Sequence, residues 1–255
     1  PQHLRLRGGF MGCCIRPSDE EEACADEGDR PRVVFVLGGP GSGKGTHCTK
    51  LCQEFNGILH LSAGDLLRQE KESGSKDGAM IEQYMKEGKI IPVQLTARLL
   101  LRAIESKKDH HSLFLVDGFP RDAKNLAGWH RIVGSKVAVE FMLFLECDKQ
   151  VLLERLLKRG ETSGRIDDNK ASILKRFDVF ESSTKQVVRQ FEQDKKLKRV
   201  SSVGSKRQVF GRVLDAFSDV LERMELRRRW PKEVFVAGGG GVAVLICAAA
   251  AMLAK

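Results

Sequence analysis

The chain has 255 residues, 42% apolar and 30% charged, enough for one well-buried domain with roughly sixty residues over for tails. This balance excludes collagen-like and wholly disordered chains. A net charge of +9 raises the question of nucleic acid, but one Tyr, two Trp and no basic stripe interleaved with aromatic residues argue against such a partner.

Residues 1–31 carry four basic and seven acidic side chains, and SDEEEACADEGDRP lacks apolar periodicity, so a disordered N-terminal extension is expected. From residue 32 to 222, short apolar runs alternate with helical patterns. RVVFVL (32–37), GILHLS (57–62), SLFLVD (112–117), EFMLFLE (140–146) and KRVSS (198–202) read as strands. Between them, VQLTARLLLRAI (93–104) repeats its apolar residues at intervals of three and four, as a helix does. Strands apolar on both faces and separated by helices predict an α/β fold, a doubly wound parallel sheet of five strands covered on both sides. Residues 223–255 carry six basic and two acidic side chains. Within them, Val234 to Ala254 has no charge and as a helix would span about 30 Å, the thickness of a bilayer core. Arg227, Arg228, Arg229 and Lys232 precede it, as at the cytoplasmic flank of an anchor. Its four glycines weaken the span, so membrane contact through this tail and a flexible tail stand as alternatives. Seven cysteines without Cys-x-x-Cys spacing read as reduced thiols rather than a disulfide frame or a zinc site.

RVVFVL runs directly into GGPGSGKGT, Gly38 to Thr46, and then into the helical pattern THCTKLCQEF. Glycines let the backbone curl so that successive N–H groups point inward, and the positive end of the following helix completes a nest for phosphate. Gly41, Ser42, Gly43, Lys44, Gly45 and Thr46 form that loop, with Lys44 reaching the β- and γ-phosphates of a nucleotide. Gly45 stands where the general motif has Ser or Thr. No Asn-Lys-x-Asp motif follows, which argues against a GTPase.

GxPGSGKGT is followed in order by LSAGDLLR, DGFPR and RGETSGRIDDN. On these four motifs the chain from about Val33 to Leu221 resembles the nucleoside monophosphate kinases of the adenylate kinase superfamily, of the short-lid type and closest to the UMP/CMP kinases. Such enzymes bring two polyanions into line and neutralise the transferring group, which calls for converging guanidinium groups. Arg68, Arg121, Arg159, Arg165 and Arg176 are the candidates.

The resemblance implies a kinase domain over 32–222, with a small helical NMP-binding domain over about 62–92 and a lid over about 159–169. It puts Ser62 and Arg68 on the acceptor side, with Arg68 on the monophosphate. The backbone of Lys89, Ile90 and Ile91 would line the acceptor base and sugar. Gly118, Phe119, Pro120 and Arg121 also face the acceptor. Arg159 would lie against the ATP base, and Arg165 and Arg176 would close on the phosphates. Lys44, Arg121, Arg165 and Arg176 are the implied catalytic cations. Asp117 would hold the waters of Mg²⁺, with Thr46 as a second metal residue. Gly204 matches the position whose backbone meets adenine, although its segment departs from the family's Asp-Ala-Ser run.

Two positions separate the subfamilies. Adenylate kinases have LSTGDLLR and a glutamine after DG-x-PR, whereas UMP/CMP kinases have Ala, here Ala63, and an Asn four residues past the arginine, here Asn125. An amide can meet uracil O4 or cytosine N4 by presenting one end or the other. Asp122 stands where the family commonly has Asn. The implied activity is transfer of the γ-phosphoryl group of MgATP to CMP or UMP, with dCMP a further candidate. A cytoplasmic monomer is expected, with the nucleus left open as a compartment. The alternatives are an adenylate kinase and a membrane-tethered nucleotide-binding protein without transfer activity.

Overall fold

A computed structural model of the protein describes residues 30–87, 89–161 and 170–225. The acidic lead-in up to residue 29, lid residues 162–169 with Arg165, and the apolar tail lie outside the described residues. Among the described residues five strands are seen: β1 (Arg32–Gly38), β2 (Ile58–Ser62), β3 (Leu113–Asp117), β4 (Ala138–Glu146) and β5 (Leu197–Ser201). They pair in parallel in the order β2-β3-β1-β4-β5, the sheet expected from the apolar runs. β4 starts two residues before the expected run EFMLFLE, at Ala138, whose N–H donates to Pro31 O at 2.9 Å.

The helices are α1 (Lys44–Glu54), α2 (Ala63–Glu72), α3 (Gly78–Glu87), α4 (Val93–Glu105), α5 (Ala123–Ile132), α6 (Lys149–Gly160), α7 (Lys170–Val179), α8 (Lys185–Gln193) and α9 (Lys206–Arg223). A π-helical turn, Phe180–Thr184, joins α7 to α8. Among the described residues no helix is long and apolar enough to cross a membrane.

The strand period of two decides which side chain goes where. Val33, Phe35 and Leu37 of β1 enter one core with Leu100 and Ile104 of α4, Trp129 of α5 and Phe191 of α8. Val34 and Val36 enter the other, with Leu51 of α1 and Val213 and Phe217 of α9. This is why RVVFVL shows no polar alternation: both faces of β1 are covered. Phe35 meets Trp129 edge-on at 5.2 Å, and Phe141 meets Phe217 at 5.1 Å across the second face. Each such pair contributes about 0.5–1.5 kcal/mol beyond simple burial.

The chain leaves β1 towards β2 on one side, and later crosses from β3 to β4 on the other. The carboxyl ends of β1 and β3 therefore flank a topological switch point, where an open α/β sheet leaves a crevice. Those ends carry Gly38 and Asp117.

Candidate functional site

The crevice is a cleft of about 550 Å³. Its floor is the loop from Gly38 to Gly43, which turns sharply between β1 and α1. Gly41 and Gly43 have φ of 85° and 87°, a region L side chains rarely adopt. At Gly41 there is no room either, since a Cβ would lie 2.8 Å from Leu152 O. Ser42, fully buried, pins the turn by donating its N–H to Gly39 O at 3.1 Å.

Lys44 is the first residue of α1, and its Nζ donates to Gly38 O and Gly39 O at 3.0 and 3.1 Å. Burial pushes the ammonium down from 10.5 to about 8; Asp117 opposes this, while Arg176 and Arg121 add to it. That three charged residues from β3, α7 and the turn after β3 act on one lysine shows that they converge on the loop. A site with such crowded cations stabilises an arriving polyanion. Burial also pushes the Cys48 thiol on α1 well above its usual value, so it is a packed thiol and not a nucleophile.

On the opposite wall, Ser62 ends β2 and caps α2 by accepting the Asp65 N–H at 3.2 Å. One turn on, Arg68 donates Nε to Asp65 Oδ1 at 3.2 Å and reaches the cleft. The DGFPR turn contains a cis Phe119–Pro120 bond, and Arg121 Nε donates to Gly118 O at 2.9 Å. Asp122 caps α5, its Oδ1 accepting the Asn125 N–H at 2.6 Å. Asn125, 5% exposed, returns the fold inward: its Oδ1 accepts the Arg121 N–H at 3.2 Å. The amide is thereby oriented, with oxygen engaged and nitrogen donor hydrogens left for a ligand.

Most of the sequence-predicted residues line this one cleft: Gly41, Gly43, Lys44, Gly45 and Thr46 on the loop, and Ser62, Arg68, Lys89, Ile90 and Ile91 on the facing arm. Asp117, Gly118, Phe119, Arg121 and Asn125 come from the end of β3 and the turn beyond, with Arg159 and Arg176 arriving from α6 and α7. The Lys89 ammonium turns aside to Glu87 Oε2 at 2.5 Å, which leaves the backbone of 89–91 towards the cleft. Ser42 and Pro120 act from behind, as buried supports. Gly204, in the turn after β5 with φ of 113°, is not part of the lining.

Asp117 stands at 3.5 Å from His60 Nε2 on β2, and a Cβ built on Gly45 would lie 3.7 Å from Asp117 Oδ2. A hydroxyl-bearing residue at 45 would fill the space beside the carboxylate; glycine leaves it open. The available protein donors are oxygens, Asp117 and Thr46, too few for an all-protein cage. Among the described residues no group of three or more His, Cys, Asp or Glu could hold a metal. One carboxylate, one hydroxyl and neighbouring phosphate oxygens suit Mg²⁺, which keeps most of its waters.

His60, Phe180 and Thr184 also line the cleft and were missed from the sequence. For His60 a signal existed, since GILHLS breaks its apolar run with one histidine two residues before Ser62. For Phe180 and Thr184 no local pattern marks the π-turn.

The family model described as Adenylate kinase matches residues 36–196. The chain is 45% identical to the UMP-CMP kinase of Gallus gallus over 192 residues, covering 74% of this chain and 97% of that one. The UMP-CMP kinases of Homo sapiens and Xenopus tropicalis are 43% and 46% identical, with the same two coverages.

Proposed function

The chain belongs to the adenylate kinase family, and from that premise we propose that it transfers the γ-phosphoryl group of ATP to CMP or UMP, giving ADP and CDP or UDP. The observation that carries the choice of acceptor is the oriented amide of Asn125, which lines the cleft together with Arg121 and Ala63. With Oδ1 engaged by the Arg121 N–H, Nδ2 presents a donor. So placed, Nδ2 can donate to uracil O4, while Oδ1, which keeps a second lone pair beside the Arg121 N–H, can accept from cytosine N4. The relatives named UMP-CMP kinase support the same reading. dCMP is compatible with it.

In this reading the ATP phosphates lie on Gly41 to Thr46, with Lys44 on the β- and γ-phosphates and Arg159 against the base. Gly204, outside the cleft lining, would supply backbone to adenine where the base extends beyond it. Arg68 and Arg121 hold the acceptor phosphate, and Arg165 and Arg176 close over the transferring group. Mg²⁺, held through water by Asp117 and by Thr46, would supply charge neutralisation between the phosphates. The residues do little proton chemistry; they align two anions, replace their water shells and offset developing charge. The arm of 62–92 and the lid of 159–169 close over bound nucleotides and exclude water. In the same reading the enzyme is a monomer acting in the cytoplasm, with the nucleus open as a second compartment and with membrane contact through 234–254 and a flexible tail as the alternatives for the C-terminal segment.

The test is ADP formation by the purified full chain with MgATP and either CMP or UMP. Turnover with one or both, reduced by several orders of magnitude in Lys44→Ala, is expected. Pyrimidine turnover no faster than that of the variant would overturn the proposal.

A further inference from the structure

α7, the π-turn and α8 form one helical rod from Lys170 to Gln193, and it carries Arg176 to the cleft. Two buried hydroxyls tie this rod to backbone on the acceptor side. Near its start, Ser172 Oγ donates to Lys86 O at 2.9 Å, one residue before the end of α3 and 86 positions away in sequence. At the π-turn, Thr184 Oγ1 donates to Arg121 O at 2.9 Å, across 63 positions. Ser172 is 2% exposed and Thr184 5%. Arg176 lies between the two ties, one turn after Ser172. Between them too is Phe180, which stacks on Phe144 at 6.1 Å and approaches within 3.8 Å of a Cβ built on Gly39 in the phosphate loop.

We infer that Ser172 and Thr184 are positioning residues that hold Arg176 in register with the acceptor-binding segments, so that its guanidinium meets the transferring phosphoryl group only when those segments are in place. The inference rests on the phosphoryl transfer proposed above. Three features support it. First, both acceptors are main-chain carbonyls, so each tie reports where the acceptor-side backbone is and not which side chain it bears. Second, a buried hydroxyl left without a partner is costly, so the Thr184 tie forms together with the docking of its segment. Third, the π-turn inserts an extra residue into the helix, a distortion frequent at functional sites, and Thr184 is its last residue. The rod thus passes beside the donor loop at Phe180 and is tied to the acceptor segments through the two hydroxyls. A displacement of Arg176 by about 1 Å suffices to lose a large part of its effect on an aligned transfer.

A double-mutant cycle on the full chain tests this, using the monophosphate that the wild type turns over fastest. Thr184→Val and Ser172→Ala are each expected to lower kcat about tenfold, while ATP affinity stays within about twofold. Thr184→Ser, which restores the hydroxyl, is expected to retain the wild-type kcat. In an Arg176→Ala background, Thr184→Val should cost less than about twofold, because the group it positions is gone. A similar tenfold loss in both backgrounds would show a general structural role and overturn the inference, as would full kcat in both single variants. Should Thr184→Val not fold, Ser172→Ala completes the same cycle. A wild type that prefers AMP would sink the pyrimidine reading but leave this cycle readable, so the two failures are distinct.

Discussion

Raising the pH from 7 to 9 perturbs Lys44 without altering the packing around it. Burial holds its ammonium at about 8, against 10.5 for an ordinary lysine. In the free protein about 10% of Lys44 is therefore neutral at pH 7, about half at pH 8 and about 90% at pH 9. A polyphosphate against the ammonium favours the charged form, so ATP binding should draw in about 0.1, 0.5 and 0.9 proton at those pH values. The linked loss of ATP affinity between pH 7 and pH 9 is about tenfold, or about 1.4 kcal/mol. The terminal phosphate, with a second pKa of about 6, is already ionised above pH 8 and does not contribute there. Calorimetric titration of ATP in two buffers of different ionisation enthalpy reads the proton count directly. Uptake rising towards one proton at pH 9, and absent in Lys44→Met, is expected. No uptake at pH 9, or the same uptake in Lys44→Met, would refute the reasoning. The sign for folding follows from the same shift. The folded pKa lies below the unfolded one, so burying the charge costs stability below about pH 8, and that cost is relieved as pH rises towards 10.5.

Two substitutions in the turn after β3 separate recognition from support. Asn125→Ala should raise KM for CMP about tenfold or more while KM for ATP changes less than about twofold, measured by initial rates; equal rises in both would show that Asn125 acts through the fold alone. Asp122→Ala removes the cap of α5 and should cost about 1 kcal/mol, seen as a lower unfolding midpoint, and Asp122→Asn should recover most of it. An unchanged midpoint in Asp122→Ala would contradict the capping role.

How much of this was readable beforehand divides along sequence distance. RVVFVL and SLFLVD were recognisable as buried strands because a parallel sheet covered on both faces leaves no polar alternation, and their ends fall within a residue of Gly38 and on Asp117. The phosphate loop was equally plain, since its chemistry lies in nine consecutive residues. Asp122 was harder: it looked like an odd substitution for Asn beside the acceptor arginine, whereas its work is to cap α5, a task both residues perform. The engaged oxygen of Asn125 could not be foreseen, because amide orientation depends on the turn geometry that brings the Arg121 N–H to it. The ties from Ser172 and Thr184 span 86 and 63 positions and end on carbonyls, which every residue has, so no pattern of side chains announces them.

The central claim is that this cleft reads a pyrimidine on the acceptor. Equimolar CMP and AMP, offered together to the full chain with limiting MgATP, give the ratio of their kcat/KM values from the CDP formed and the AMP consumed. The account predicts that CMP is converted well ahead of AMP, and that Asn125→Ala narrows the gap by lowering CMP conversion. AMP consumed faster than CMP by the wild type would contradict it.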